Sequence, residues 1–390
     1  MKLLFFISIQ GHGSGGHFHS LNHISKELGK RHNIIIITIG SGTSDIISKN
    51  PYFLCHCKFN GISYLRLFKE IDKSITSFKP DIIHFFDITS YNVVRIHISS
   101  MTYKVILNKC GGPNKKWPFV NNLILFSYEN YEYYKKYPKF RLSNIYLIPN
   151  RVQQLQVNKS FNPVPKDPNS FNFIRICRIG EGYKKSIRDS INLVKYLHTK
   201  GHFIVNLYVI GAVENDNVYD EFINEIADLR NSIYFITSMH LTKEASLMLY
   251  LADAVIGTGR GFMESASLGK PLLTIHAEDN YPVLIDQRNF YDAFKTNFSQ
   301  RNIFKSYNSG ENLGNIEKMI MDKEYYDQLS KFSVSLFQDF FSISKALQAY
   351  NDVYENAKFG QNGYLQDLLI IFKSLYYFSI SSFKRRQATI

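Results

Sequence analysis

The stretch ADAVIGTGRGFMESASLGKPLLTI, Ala252 to Ile275, constrains the fold more than any other part of the chain. Ala254 to Ile256 reads as a short buried strand and Gly257 to Gly261 as a loop. A helix then starts near Phe262 or Met263 and stops at Gly269, because Pro271 cannot continue it. Another apolar strand follows. Gly259 and Gly261 let the backbone approach a ligand closely, and the unpaired N–H groups at the helix start point at the loop. Glu264 falls in the first turn on this reading. It either accepts hydrogen bonds from ribose hydroxyls or only offsets the helix dipole.

The same grammar recurs. Leu3 to Ile9 is a continuous apolar run, as in a parallel sheet covered on both faces. Leu21, Ile24 and Leu28 then mark a helical stripe, and Asn33 to Ile39 is a second buried strand, completing a βαβ unit. Short apolar runs at Ile82–Phe86, Val105–Leu107, Leu123–Ser127 and Ile145–Ile148 continue it. The segment from Asn150 to Ser170 is rich in Gln, Asn, Pro and Ser, without periodicity, and reads as a linker. From Phe171 the pattern restarts, with strands at Phe171–Cys177, Phe203–Ile210 and Ile233–Ile236 and helices at Ile187–Leu197, Glu221–Arg230 and Lys243–Leu251. The expected fold class is α/β: two Rossmann-like, doubly wound parallel-sheet domains. A chain of 390 residues, 45% hydrophobic and 20% charged, has the length and composition for two such cores.

Several classes are disfavoured. The apolar run LLFFISI is short, lacks a small-residue cleavage pattern and leads into a glycine loop, so it reads as a strand rather than a signal peptide. Four scattered cysteines make no disulfide framework, which points to a reducing cytoplasm. Cys55 and Cys57 flank His56 without a second cysteine pair, and His12, His17, His19 and His23 lack a partner set for zinc. Gly11, Gly13 and Gly16 match G-x-G-x-x-G, but no acid ends the second strand, so a dinucleotide cofactor is not expected. A net charge of +13 implies phosphate-rich partners. Nucleic acid is not expected, because no nucleic-acid-binding motif accompanies that charge.

Candidate binding residues fall at strand ends. Arg178 closes the strand Phe171–Cys177, and Lys184 and Lys185 open the next helix, a cationic clamp suited to a diphosphate. Gly111 and Gly112 follow another strand, where open α/β sheets bind ligands. In the tail, Leu365, Leu368, Leu369, Phe372, Leu375 and Tyr376 form one stripe ahead of Lys384-Arg385-Arg386. That segment either lies on an anionic membrane or docks on the body of the protein.

Taken in order, GSGGHFHSLNHISKELGKRH, PDIIHFFD, YLIPNRV, RICRIGEGYKKSIRDSINLVKYL, VNLYVIG and ADAVIGTGRGFMESASLGKP resemble the family-4 retaining glycosyltransferases of the GT-B fold. The resemblance implies two domains facing across a cleft. An N-terminal acceptor-binding domain would occupy residues 1–155 and a nucleotide-sugar-binding domain residues 156–335. A helix over 336–358 would pack back on the first domain, and 359–390 would be a basic amphipathic tail. Arg178 with Lys185 or Lys184 would contact the donor diphosphate, and Glu264 the ribose. Gly15, Gly16, Gly259, Arg260 and Gly261 would line the nucleotide-sugar site, with His17, His84, Gly111 and Gly112 on the acceptor side and Asn150 at the hinge.

The first Glu of the family's E-x7-E motif is missing: its place is held by Ile256, and Arg260 is the candidate substitute. No D-x-D motif is present, so no obligatory metal or other cofactor is implied. The implied reaction is sugar transfer from a nucleotide sugar to a saccharide acceptor, lipid-linked, in surface polysaccharide synthesis at the inner face of the cell membrane. The alternatives are a GT-B-like nucleotide-sugar epimerase, with Glu264, Asp87, Glu278 or Asp279 as bases, and a non-catalytic sugar-nucleotide-binding scaffold.

Overall fold

Because apolar runs of four to eight residues dominate the sequence, most strands are buried on both faces. The computed structural model describes residues 1–390 apart from 96, 99–102, 159–168, 361–363 and 388–390. Most of the expected linker therefore lies outside the described residues.

The first sheet holds β1 (Lys2–Ile9), β2 (Asn33–Gly40), β3 (Phe53–Lys58), β4 (Ile82–Phe85), β5 (Lys104–Lys109), β6 (Asn122–Leu125) and β7 (Asn144–Leu147). Its order is β3-β2-β1-β4-β5-β6-β7, and every pairing is parallel. The second holds β8 (Phe171–Ile176), β9 (Val205–Ile210), β10 (Ile233–Ile236), β11 (Ala254–Ile256), β12 (Leu272–Ile275) and β13 (Pro282–Leu284). Its order is β10-β9-β8-β11-β12-β13, parallel except for β13 against β12. Both are doubly wound sheets, as the apolar pattern implies. In each, strand order reverses once, between β1 and β4 and between β8 and β11. Such a reversal splays the connecting loops apart and opens a crevice at the C-terminal strand ends.

The chain divides into two compact units, residues 1–151 with 343–390 and residues 152–342. These junctions differ from the expected 155/156 and 335/336 for a local reason. The Val152 N–H donates to the Phe341 carbonyl at 2.8 Å, and the fully buried Val152 side chain shares a core cluster with Phe262, Leu336 and Phe341. Both chain crossings are thus held by the second unit's core, and the chain re-enters the first unit only at Ile343. There the helix Ala346–Asn356 buries Ala346, Tyr350, Val353 and Tyr354 against Leu3 and Phe5 of β1.

Three expected helices are different. The one expected at Glu221–Arg230 runs Asp216–Glu225, followed by a 3-10 turn at Ala227–Leu229. The segment Lys243–Leu251 forms a tight 3-10 run over Ala245–Leu251 rather than an α-helix. The helix after β11 begins at Arg260, two residues earlier than Phe262, because Gly259 at φ +51° turns the chain abruptly. Glu264 is therefore in the second turn, and the reading of it as a first-turn charge offsetting the dipole does not apply.

Candidate functional site

At the reversal in the second sheet, three segments meet: the end of β8, the start of the helix Lys184–Thr199, and the loop after β11. The 3-10 turn Glu181–Tyr183 runs straight into that helix, and the Lys184 N–H donates to the Glu181 carbonyl, so the positive potential there comes from the side chains of Lys184 and Lys185. Arg178 lies just past β8. Its Nη1 donates to Glu214 Oε1 at 2.6 Å, and its guanidinium sits 5.4 Å from the Tyr183 ring centroid. The hydrogen bond to Tyr183 and the Glu214 charge raise its pKa, so it is a permanent cation.

The two lysines part company. The Lys184 ammonium pairs with Glu221 at 2.5 Å, within a group of surface ion pairs that includes Arg188 and Glu225. Lys185 instead donates to Asp189 Oδ2 at 2.7 Å and to the main-chain carbonyl of Asp279, in the turn after β12. Lys185 is thereby drawn toward the strand-end loops, whereas Lys184 is held on the helix flank. Burial pushes the Asp189 carboxyl up to about 6, and the Lys185 hydrogen bond offsets part of that shift.

Beneath them lies a residue that sequence reasoning missed. Arg175, the second-last residue of β8, is 1% exposed. Its Nη2 donates to Ser186 Oγ at 2.9 Å and to Thr258 Oγ1 at 3.2 Å, and its Nη1 to the Ile256 carbonyl at 3.4 Å. One buried guanidinium thus joins β8, the helix start and the glycine loop. The signal was an arginine inside the apolar run FNFIRI, which a buried strand tolerates only with hydrogen-bond partners.

Glu264 is 2% exposed. Its Oε2 accepts from Ser246 Oγ at 2.7 Å, and its Oε1 pairs with Arg260. A carboxylate so buried is a fixed acceptor rather than a surface charge. Ser246 was also missed, since it lies eighteen positions away in the 3-10 run. A Cβ at Gly259 or Gly261 would meet no atom within 4 Å, so the space beside both is open. At Gly259 the positive φ itself favours glycine. Ile256 is fully buried in β11 and brings no polar group to the edge.

The first unit's edge has its own candidates. The helix Gly16–Leu28 starts without a side-chain cap, and both Gly15 and Gly16 are exposed. Asn150 Oδ1 accepts from Ser20 Oγ at 2.7 Å, tying the end of this sheet to that helix. His17 is half-buried; burial lowers its pKa and the Asp87 charge opposes the shift. Asp87 caps the helix Ile88–Val94 and accepts from the Ser8 amide and hydroxyl, which occupies both its oxygens.

Two acceptor-side expectations change. His84 is fully buried, with Nδ1 3.2 Å from the Tyr354 hydroxyl and its ring among Phe5, Phe86 and Tyr350. Burial lowers its pKa to about 3. It is a core residue, because its position in β4 points to the face covered by the helix Ala346–Asn356. Gly111 and Gly112 have φ of 93° and 81°, and both carbonyls accept from the Lys109 ammonium, at 2.6 and 3.3 Å. Their loop is therefore wrapped around a lysine of its own, which also lies 5.3 Å from the Trp117 ring centroid.

Residues 11–135 match the model of the family described as glycosyl transferase 4-like. No curated protein matches the sequence. Among solved structures, a glycosyltransferase from Rickettsia africae is similar at 14% identity, covering 91% of this chain and 98% of that one, with a TM-score of 0.63. The Anabaena protein HepE, in complex with UDP, is similar at 13% identity, covering 91% and 100%, with a TM-score of 0.61. A UDP-GlcNAc 2-epimerase from Neisseria meningitidis bound to UDP-GlcNAc is similar at 14% identity, covering 90% and 99%, with a TM-score of 0.53. The chain has the GT-B glycosyltransferase fold.

Proposed function

We propose that this chain is a glycosyltransferase that moves a hexose from a nucleotide diphosphate sugar to a saccharide acceptor, with retention of configuration. What supports this reading is that Arg178, Lys185, Arg260 and Glu264 all lie on segments that follow β8 or β11, the two strands between which the order of the second sheet reverses. Arg178 and Lys185 take the diphosphate, and Glu264 accepts from the ribose hydroxyls once Arg260 yields to the nucleotide. UDP is the first nucleotide to test, because HepE binds it.

As the bond between the sugar's C1 and the phosphate oxygen parts, its electron pair stays on the diphosphate. The sugar passes through an oxocarbenium-like state until the acceptor hydroxyl oxygen bonds to C1 and its proton passes to the departing diphosphate oxygen. Fixed cations aimed at the growing charge lower the barrier, and each such donor is worth roughly 3–4 kcal/mol. The family resemblance implies no obligatory metal. Retention rests on the family resemblance. So do the finer assignments: a lipid-linked acceptor, surface polysaccharide synthesis of the lipopolysaccharide or capsule type, and a peripheral site on the inner membrane face.

The test is to incubate the protein with UDP-hexoses and a saccharide panel in the presence of EDTA, following nucleotide release and product by mass. Transfer dependent on acceptor supports the reading. Isomerised donor without acceptor would support the epimerase reading, which the UDP-GlcNAc 2-epimerase likeness keeps in view. Against that alternative, Asp87 is fully engaged as a helix cap, and Asp279 is held below its ordinary range: burial opposes this, but hydrogen bonds from Tyr307, Ser309 and two amides outweigh it. Binding without turnover would point to a scaffold.

A further inference from the structure

The C-terminal helix Tyr364–Gln387 has one docked face and, opposite it, an exposed apolar face. Its inner face is pinned. Asp367 is fully buried and accepts from Arg95 at 3.0 and 3.1 Å, from the Phe119 amide at 2.8 Å, and from Lys139. One turn on, Ile371 is buried; Ser374 accepts from Asn92 at 2.7 Å; Phe378 is buried 5.1 Å from Phe59. The spacing 367, 371, 374, 378 defines a single stripe at helical period. Docking on the body is therefore real, but it uses that stripe. The stripe expected from the sequence is split: Leu375 packs against the core, while the side chain of Leu365 lies outside the described ones.

The opposite face stays in solvent. Leu369 is 85% and Phe372 64% exposed, about half a turn away from the pinned stripe. Ser379, one residue past Phe378, lies against Gly61, and beside that turn Ile62 and Leu65 are 78% and 89% exposed. Charge selects what covers this face. The only acid in the helix is Asp367, which is neutralised inside, and its other charged residues are Lys373, Lys384, Arg385 and Arg386. Two copies of the chain meeting through this face would bring like charges together. An anionic bilayer offers both hydrocarbon and opposite charge. Among the described residues no helix is long and apolar enough to cross a membrane, so this one lies in the surface plane. The helix runs from Asp367, against the segment entering β6, to Phe378, against the residue just after β3.

We propose that the outer face of this helix, with Ile62 and Leu65 beside it, seats the protein on an anionic membrane. The inference names the surface behind the proposed membrane-side acceptor, yet its evidence is independent of the transfer reading. The test is flotation of the full chain, wild type and Leu369→Ser/Phe372→Ser, with phosphatidylcholine vesicles that contain either no anionic lipid or about 30% phosphatidylglycerol. Binding to anionic vesicles that falls at least roughly tenfold in the double variant, with an unchanged melting temperature, is the expected result. A Phe372→Trp variant should also lose fluorescence to brominated lipid, beyond any loss from the native Trp117. Equal binding of wild type and double variant, no added quenching in Phe372→Trp, or a wild-type dimer that the double variant abolishes would overturn the proposal. UDP-hexose turnover, measured on the same samples without vesicles, reports the transfer reading separately.

Discussion

Lys184 and Lys185 are neighbours in sequence but answer to different carboxylates: Lys184 to Glu221 on the helix flank, Lys185 to Asp189 and the Asp279 carbonyl at the strand-end loops. Adjacent helical positions point about 100° apart, and here that angle separates a surface ion pair from a candidate ligand.

This separation predicts unequal variants. Lys185→Ala should lower turnover of nucleotide sugar by roughly 100- to 1,000-fold, the usual effect of removing one fixed donor to developing charge. Lys184→Ala removes only a partly exposed pair, worth about 0–1 kcal/mol, and should leave turnover nearly unchanged. Steady-state kinetics on both variants checks this, and equal losses would count against the assignment.

Asp189 makes the same site sensitive to pH. Its folded-state pKa is raised from 3.8 to about 6, with burial as the largest cause. Between about pH 4 and 6 the folded protein keeps a proton that the unfolded chain has lost, so this group's contribution to stability falls as pH rises through the window. The full change is about 3 kcal/mol. Asp189→Asn should flatten that slope in denaturant unfolding at pH 4 to 7. Protonation also releases Lys185, so UDP-hexose affinity should rise as pH falls from 7 to 5.5. Calorimetry of the wild type against Asp189→Asn, whose affinity should vary less, measures it.

Arg175 acts through others, as a positioning residue. Its bonds to Ser186 and Thr258 hold the helix start and the glycine loop at a fixed spacing. Arg175→Met keeps most of the volume but removes the donor to Ser186, Thr258 and the Ile256 carbonyl; the Ser186 hydroxyl keeps its own bond to the Tyr183 carbonyl, so the expected loss is about 1–3 kcal/mol in all. The expected outcome is a lower melting temperature together with a raised KM for donor. A variant that lost only stability, with KM unchanged, would reduce Arg175 to a core support.

The fold was legible because parallel strands buried on both faces leave continuous apolar runs, as in Leu3–Ile7 and Leu207–Ile210. Of the four edge strands, β7 and β10 still read as short apolar runs, but β3 and β13 left no such trace. β3 alternates Cys-His-Cys with partial exposure, and β13 holds only three residues. Within the site, position was easier to read than partnership. Arg178 and Glu264 stand at strand-end segments that a linear pattern locates, but Glu264 meets Ser246 and Arg175 meets Thr258 only after the chain has folded. His84 misled for the opposite reason: a histidine in a strand centre looks chemical in sequence, and only the helix Ala346–Asn356, far along the chain, shows it to be enclosed.

The central claim is that a diphosphate is held where β8 and β11 end. Titration calorimetry of UDP-hexose into the wild type and Arg178→Ala tests it most directly, with circular dichroism confirming that the variant is folded. The account predicts micromolar to millimolar binding by the wild type and a loss of at least roughly tenfold in the variant, as expected for a charge-assisted contact worth about 1.5–3 kcal/mol. Equal affinity of the two proteins for the same donor would contradict it.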